Sequence, residues 1–219
     1  MSISSDNPLR DGLRSRQVAE ACSLVIFGAT GDLTHRKLVP ALYNLAAGGD
    51  LPPGLQMLGF ARRDKTDESW REELEESNRK NSRGGHDDAI WENFAANIGY
   101  HRGNFNETEA YHSLAERLDK IDEEGGTRHN RLFYLSTAPE FFPVVLENLK
   151  AAGLNEPKGG GWARVIVEKP FGRDAASSAE LSNHLASLFK EEEIYRIDHY
   201  LGKEMVQNLM TLRSVKGAR

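Results

Sequence analysis

The chain has 219 residues, with 28 lysines and arginines against 33 acids and a formal charge of −5, which argues against a partner held mainly through nucleic-acid phosphates. One α/β domain of this length can bury a sizeable core without disulfides or metal, and a lone Cys22 excludes an internal disulfide and fits a reducing compartment, so the cytoplasm is expected. No apolar run approaches the roughly 20 residues of a membrane span, so no membrane partner and no metal site are expected.

Residues 1–21 lack the apolar stretch of a secretory signal and read as a polar arm. An apolar run at Leu24–Phe27 reads as the first strand, followed by GATGDL and a helical pattern over His35–Ala47. Glycines at Gly28 and Gly31 let backbone N–H groups approach a pyrophosphate at a helix N-terminus, where amides and dipole favour an anion. The turn Gly28, Ala29, Thr30, Gly31, Asp32, Leu33 is therefore a candidate cofactor-binding segment, although the first glycine of G-x-G-x-x-G is missing. A tight strand-to-helix turn with no ligand would use the same glycines. Asp32 and Thr34 can cap the helix under either reading. Lys37, further along the helix, turns either to the cleft or to solvent, and the pattern alone favours solvent.

The second strand, Gln56–Phe60, runs into GFARRD. In dinucleotide folds an acid at this place binds the ribose 2′-OH of NAD, whereas an arginine accommodates the 2′-phosphate of NADP. Arg62 and Arg63 favour NADP, while Asp64 can bond a ribose hydroxyl or cap the next helix. Helices are expected over Asp67–Arg79 and Asp88–Asn97, with an exposed polar loop, Asn81–Asp87, between them. A third strand, Ile98–Arg102, leads to a loop around Asn104, which the ligand-edge rule places near the adenine. A helix over Glu107–Glu123 stops at Gly125-Gly126. The fourth strand, Arg131–Ser136, delivers Thr137, Ala138 and Pro139 as a wall of the cofactor path.

A helix over Pro139–Ala152 and a polar loop at Asn155–Gly161 precede the fifth strand, Arg164–Glu168. Its end carries EKPFG. Lys169 precedes a proline, so its backbone is held extended, and a cation fixed at the ligand edge can bind a hydroxyl or phosphate. A helix over Ala175–Lys190, a weak strand at Ile194–Ile197 and a helix over Lys203–Leu212 complete the pattern. Strands alternating with helices argue for an α/β, doubly wound, Rossmann-like parallel sheet. The run RIDHYLGKE, Arg196 to Glu204, has two open readings: a site for a phosphorylated substrate with a transferable proton, or a solvated, charged helix start. Asp198 and His199 are adjacent, so they point apart and are not each other's partners.

In that order GATGDLTHRKL, GFARRD, FYLSTAPEFF, EKPFG and RIDHYLGKE resemble the glucose-6-phosphate dehydrogenase family, from about Ser23 to Arg213. The VIFGATGDLT variant looks most like enzymes of cyanobacterial or plastid type. The resemblance implies oxidation of glucose 6-phosphate to 6-phosphogluconolactone with NADP, in the oxidative pentose phosphate pathway, by homo-oligomers. It also implies that Arg62 holds the 2′-phosphate, that Lys37 lies near nicotinamide and substrate, that Lys169 contacts both, and that His199, Tyr200 and Lys203 grip the sugar phosphate. Asp198 would orient a catalytic histidine from a D-V-x-Q-N-H string, which this sequence does not contain. Of the seven histidines His35 and His199 fall in these strings, and the resemblance gives a role to His199 alone.

Family members are more than twice as long, and residues 214–219, SVKGAR, depart from their pattern. The expectation is a coenzyme-binding half, 22–213, without the family's antiparallel second domain and inactive alone. The alternative is a non-catalytic nucleotide- or partner-binding module that regulates an intact enzyme.

Overall fold

A computed structural model describes residues 19–169, 171 and 174–197. Six strands form one sheet: β1 Ser23–Phe27, β2 Gln56–Ala61, β3 Ile98–Arg102, β4 Arg131–Leu135, β5 Ala163–Glu168 and β6 Ile194–Ile197. Their order is β3-β2-β1-β4-β5-β6, with every pairing parallel. This is the doubly wound order, and its switch point lies between β1 and β4. All five residues of β1 are buried, as expected of a strand covered on both faces.

Alternation along the strands divides the core. Leu24 and Ile26 join Tyr43, Trp70, Leu74, Trp91 and Phe94 under α1 Val39–Ala47, α2 Asp67–Asn81 and α3 Asp88–Ala95. Val25, Phe27, Phe60 and Phe133 join Tyr111, Leu114, Phe142 and Leu185 under α4 Thr108–Gly125, α5 Phe142–Ala151 and α6 Ala175–Ala186. Cys22 is buried beside β1, and burial pushes its thiol up to about 11, so it is a structural thiol. No helix among the described residues is long and apolar enough to cross a membrane.

Several local expectations change. Asp64 does not cap α2: Thr66 does, its hydroxyl accepting from the Ser69 N–H at 3.2 Å while the Ser69 hydroxyl accepts from the Thr66 N–H at 3.0 Å. Asp64 instead faces Arg102 at 3.3 Å, both exposed. The stretch Asn81–Asp87 is not uniformly exposed, because the His86 side chain is sunk against Tyr43 and Trp91. The fifth helical segment opens with a 3₁₀ turn, Pro139–Phe141, and the sixth ends at Ala186 rather than Lys190. Residues 1–18, the helix expected over Lys203–Leu212 and residues 214–219 lie outside the described residues.

The first helical segment carries a local fault. Thr34–Leu38 forms a π turn, in which the Val39 N–H bonds the Thr34 carbonyl, five residues back. Pro40 explains it. It has no N–H to offer and its ring disfavours an α turn over the carbonyl four residues earlier. The His35 carbonyl, whose π partner would be residue 40, accepts from the Ser77 hydroxyl at 2.7 Å instead.

Candidate dinucleotide site

A cleft of about 350 Å³ lies over the C-terminal ends of four strands. The turn after β1 contributes Gly28, Thr30 and Gly31; the end of β2 contributes Ala61, Arg62 and Arg63. The segment after β3 adds Gly103, Asn104 and Phe105, and that after β4 adds Ser136, Thr137 and Phe141. Arg62, Gly103 and Asn104 also line an adjoining hollow of about 570 Å³ that reaches Arg102 and Ser113.

Gly28 is required for two separate reasons. Its φ is +84°, and a Cβ there would stand 2.1 Å from the Ser136 carbonyl oxygen, so any side chain would be strained and would collide with backbone. The Gly28 N–H donates to the Phe60 carbonyl at 3.0 Å and the Gly31 N–H to the Gly28 carbonyl at 2.9 Å. The Thr30 N–H has no acceptor among the described residues. It stands at a helix N-terminus, which suits an anion. Behind the turn, Gly59 of β2 leaves room for core packing: a Cβ there would lie 2.4 Å from Trp70 and 2.7 Å from the Ala29 Cβ.

Asp32 and Thr34 do not cap this helix, since no side-chain cap bond forms. Asp32 is exposed and reaches Arg36 at 3.9 Å. Thr34 is fully buried, and its hydroxyl ties the glycine turn to the β4 loop through the Gly28 carbonyl at 3.4 Å and the Ser136 hydroxyl at 3.2 Å. Ala29 is buried in the core and Leu33 is half-buried; neither lines the cleft. Lys37 is exposed on the π turn and is likewise absent from the lining. Burial lowers the His35 imidazole below its ordinary value, although Glu73 opposes this, so the ring is neutral at pH 7.

The arginine corner is held from behind. The Tyr100 hydroxyl lies 3.0 Å from the Ala61 carbonyl oxygen and 2.7 Å from that of Arg63, pinning the chain on both sides of Arg62. Burial pushes that phenol up to about 12, so it remains a donor. Arg102 is engaged by Asp64, whereas neither Arg62 nor Arg63 makes an ion pair with a described residue. Tyr100 is itself fixed by Asp67, which accepts its N–H at 2.6 Å and whose two carboxylate oxygens both accept from Arg117 Nη2, at 2.8 and 2.7 Å. Burial pushes the Asp67 carboxyl up, but Arg117 and the Tyr100 N–H outweigh it and leave the group below its ordinary value.

Asn104 lines both hollows and is exposed. Lys169 is exposed just past β5, on the same sheet edge but one strand beyond the β4 loop; its N–H donates to the Ile197 carbonyl at 3.2 Å. The neighbouring Glu168 is buried and accepts from the Tyr134 hydroxyl, and burial together with that carboxylate raises the Tyr134 phenol. Of the wall expected after β4, Thr137 lines the cleft while Ala138 and Pro139 do not; Ser136 and the aromatic pair Phe105 and Phe141, 5.4 Å between centroids, do. Asp198, His199, Tyr200 and Lys203 lie outside the described residues. Thr34 was expected only as a helix cap, and no site role was expected of Tyr100, Ser136, Phe105 or Phe141; only their positions in or after strands could have drawn attention to them.

Residues 25–208 match the family model described as glucose-6-phosphate dehydrogenase, NAD binding domain. The chain belongs to the glucose-6-phosphate dehydrogenase family. Among family members, it is 44% identical over 209 residues to glucose-6-phosphate 1-dehydrogenase 2 of Mycobacterium bovis, covering 94% of this chain and 41% of that protein. It is 46% identical over 205 residues to the Chlamydia pneumoniae glucose-6-phosphate 1-dehydrogenase, covering 92% and 40%. A solved glucose-6-phosphate dehydrogenase in complex with its substrate superposes with a TM-score of 0.78 at 40% identity, over 90% of this chain and 40% of that one. The chain thus spans about 40% of the length of these relatives, and the described fold is the family's dinucleotide-binding one.

Proposed function

We propose that the chain is the coenzyme-binding half of an NADP-dependent glucose-6-phosphate dehydrogenase, which oxidises glucose 6-phosphate to 6-phosphogluconolactone in the oxidative pentose phosphate pathway, and that alone it does not turn over. The observation that carries the NADP assignment is the pair Arg62 and Arg63, exposed at the mouth of a glycine-floored cleft and without an ion pair among the described residues. The residues fit the coenzyme: the Gly28 position has no room for a side chain, the Thr30 N–H stands open at a helix N-terminus, and two cations face the place of a 2′-phosphate. When bound, NADP would accept a hydride. The chain's own part is to seat the pyrophosphate on the glycine turn, grip the 2′-phosphate with Arg62, and offer Phe105, Phe141 and Thr137 as a wall that excludes water.

Lys169 stands at the sheet edge where a substrate oxygen or cofactor phosphate would meet a cation, and resemblance gives His199, Tyr200 and Lys203 the sugar phosphate. Asp198 would orient a histidine that this sequence lacks. The relatives' longer chains, and the substrate held by the solved relative, support the view that the remaining groups are supplied elsewhere. Removing a general base typically costs 10²- to 10⁴-fold, and lost positioning adds to it. We place the protein in the cytoplasm, supported by its single buried thiol.

Titration of NADP and NAD into the wild type and Arg62→Ala is the test. A charge-assisted contact contributes about 1.5–3 kcal/mol, so NADP affinity should fall roughly 10- to 150-fold while NAD affinity holds. Equal NADP affinity in both proteins would remove the assignment. NADPH formation at 340 nm with glucose 6-phosphate should be undetectable, and turnover near that of an intact relative would overturn the division of labour.

A further inference from the structure

Away from the cleft, where α2 ends and α3 begins, Glu75, His86 and Asp88 bring one imidazole nitrogen and two carboxylate oxygens within 4.8 Å of one another. His86 is the decisive member. Its side chain is only 5% exposed, and its ring stacks on Tyr43 at 5.6 Å between centroids, with Trp91 also 5.6 Å away. Its Nε2 is buried without a hydrogen-bond partner, yet stands 3.3 Å from Asp88 Oδ1 and 3.6 Å from Glu75 Oε1. The Tyr43 hydroxyl accepts from the Asp87 N–H at 2.8 Å, so the loop is held in this shape by α1.

We propose that Glu75, His86 and Asp88 form a binding site for a divalent transition-metal ion, Zn²⁺ by preference. Three ligands about 2.0–2.1 Å from a tetrahedral ion stand about 3.3 Å apart, which is close to the separations His86 Nε2 already has from the two carboxylates. One nitrogen with two carboxylates suits Zn²⁺ better than Mg²⁺ or Ca²⁺, which prefer oxygen alone. Water completes the coordination from the side on which Asp88 is 81% exposed.

A second orphan supports the assignment. Asn78 Nδ2 lies 3.0 Å from His86 Nδ1, which leaves Asn78 Oδ1 buried without a partner. Turning that amide over places Oδ1 against a Nδ1–H and keeps the lone pair on Nε2, facing the two carboxylates. An oriented neutral imidazole of this kind is what a metal requires. Arg79 is the competitor. Its Nη2 sits 2.6 Å from Glu75 Oε1 and 2.7 Å from Asp88 Oδ1, the same two ligand atoms, but the side chain is half-exposed and can leave into solvent. The metal would fasten the end of α2 to the start of α3 across the 82–87 loop, outside the lining of the coenzyme cleft, and would act on stability rather than on hydride transfer.

The test uses Zn²⁺ alone, titrated into the chelator-stripped 219-residue chain. One ion per chain should bind, raising Tm, and Co²⁺ in its place should give the visible bands of a low-coordinate nitrogen and oxygen site. His86→Ala and Asp88→Asn should each weaken Zn²⁺ by at least about tenfold; the second, at an exposed position, should leave the metal-free fold intact. Arg79→Gln should tighten binding, and His129→Ala, at the separate Asp119, Asp122 and His129 group, should leave it unchanged. No stoichiometric uptake, equal uptake by wild type and Asp88→Asn, or weaker binding in Arg79→Gln would each overturn the site.

Discussion

The two halves of the sheet are finished to different degrees. Over β1, β2 and β3 both faces are closed, with Phe27, Phe60 and Trp70 at 0% exposure. Over β4, β5 and β6, α5 and α6 cover one face, but on the other Leu132, Ile166 and Ile197 are only partly buried and Tyr195 is 45% exposed. The glycine turn and the arginines rest on the closed half. Lys169 rises from the half-open one. A dinucleotide platform can therefore be complete within the described residues, while the sheet edge around Lys169 is less enclosed among them.

The comparison would be broken most severely at Trp70. Trp70→Ala removes a fully buried indole that also fills the space over Gly59, and should lower stability by about 3–5 kcal/mol in urea denaturation. At the arginine corner, Tyr100→Phe deletes the hydroxyl bonded to the Ala61 and Arg63 carbonyls, at about 1–3 kcal/mol. Because the corner loosens, NADP affinity should drop while NAD affinity changes little, which paired titrations would show.

Asp67 sharpens the same contrast through pH. Its folded pKa is depressed, so its contribution is present above the unfolded value of about 3.9 and is lost as pH falls through the folded value. Asp67→Asn should cost about 1 kcal/mol at neutral pH, since the Arg117 pair is partly open to solvent. The stability curves of variant and wild type should converge below the folded pKa. The smallest effect belongs to the open half: Tyr195→Ser should stay within about 0.5 kcal/mol. A loss above 2 kcal/mol there would show that this face is closed after all.

The architecture was legible because its signals are local. Apolar runs alternate with helical periodicity, and the strand-end motifs GATGDL and GFARRD sit where a parallel sheet places its ligand edge. Arg62 and Asn104 could be placed by that rule alone. What stayed hidden depends on contacts distant in sequence. Nothing near Thr34 announces that its hydroxyl will reach Ser136, and nothing near Tyr100 announces two carbonyls at the end of β2. His86 was hidden for the opposite reason: its polar, glycine-bearing surroundings read as open loop, and only the aromatic slot between Tyr43 and Trp91 draws it inward. The π turn had one clue, Pro40, whose effect on the preceding turn is local but whose resolution, the Ser77 hydroxyl, lies on another helix.

That π turn also separates two angular settings within one helical rod. Thr34 and Val39, five positions apart, are both buried, whereas an unbroken α-helix would turn them about 140° out of line. The extra residue absorbs the offset, so the glycine turn can keep the orientation that Ser136 demands while α1 keeps the one that Tyr43 and the core demand. Forcing the same residues into a regular α-helix would swing one end by about 100° against the other. The fault works as a phase adjuster, allowing the cleft and the core to be tuned independently along a single piece of backbone.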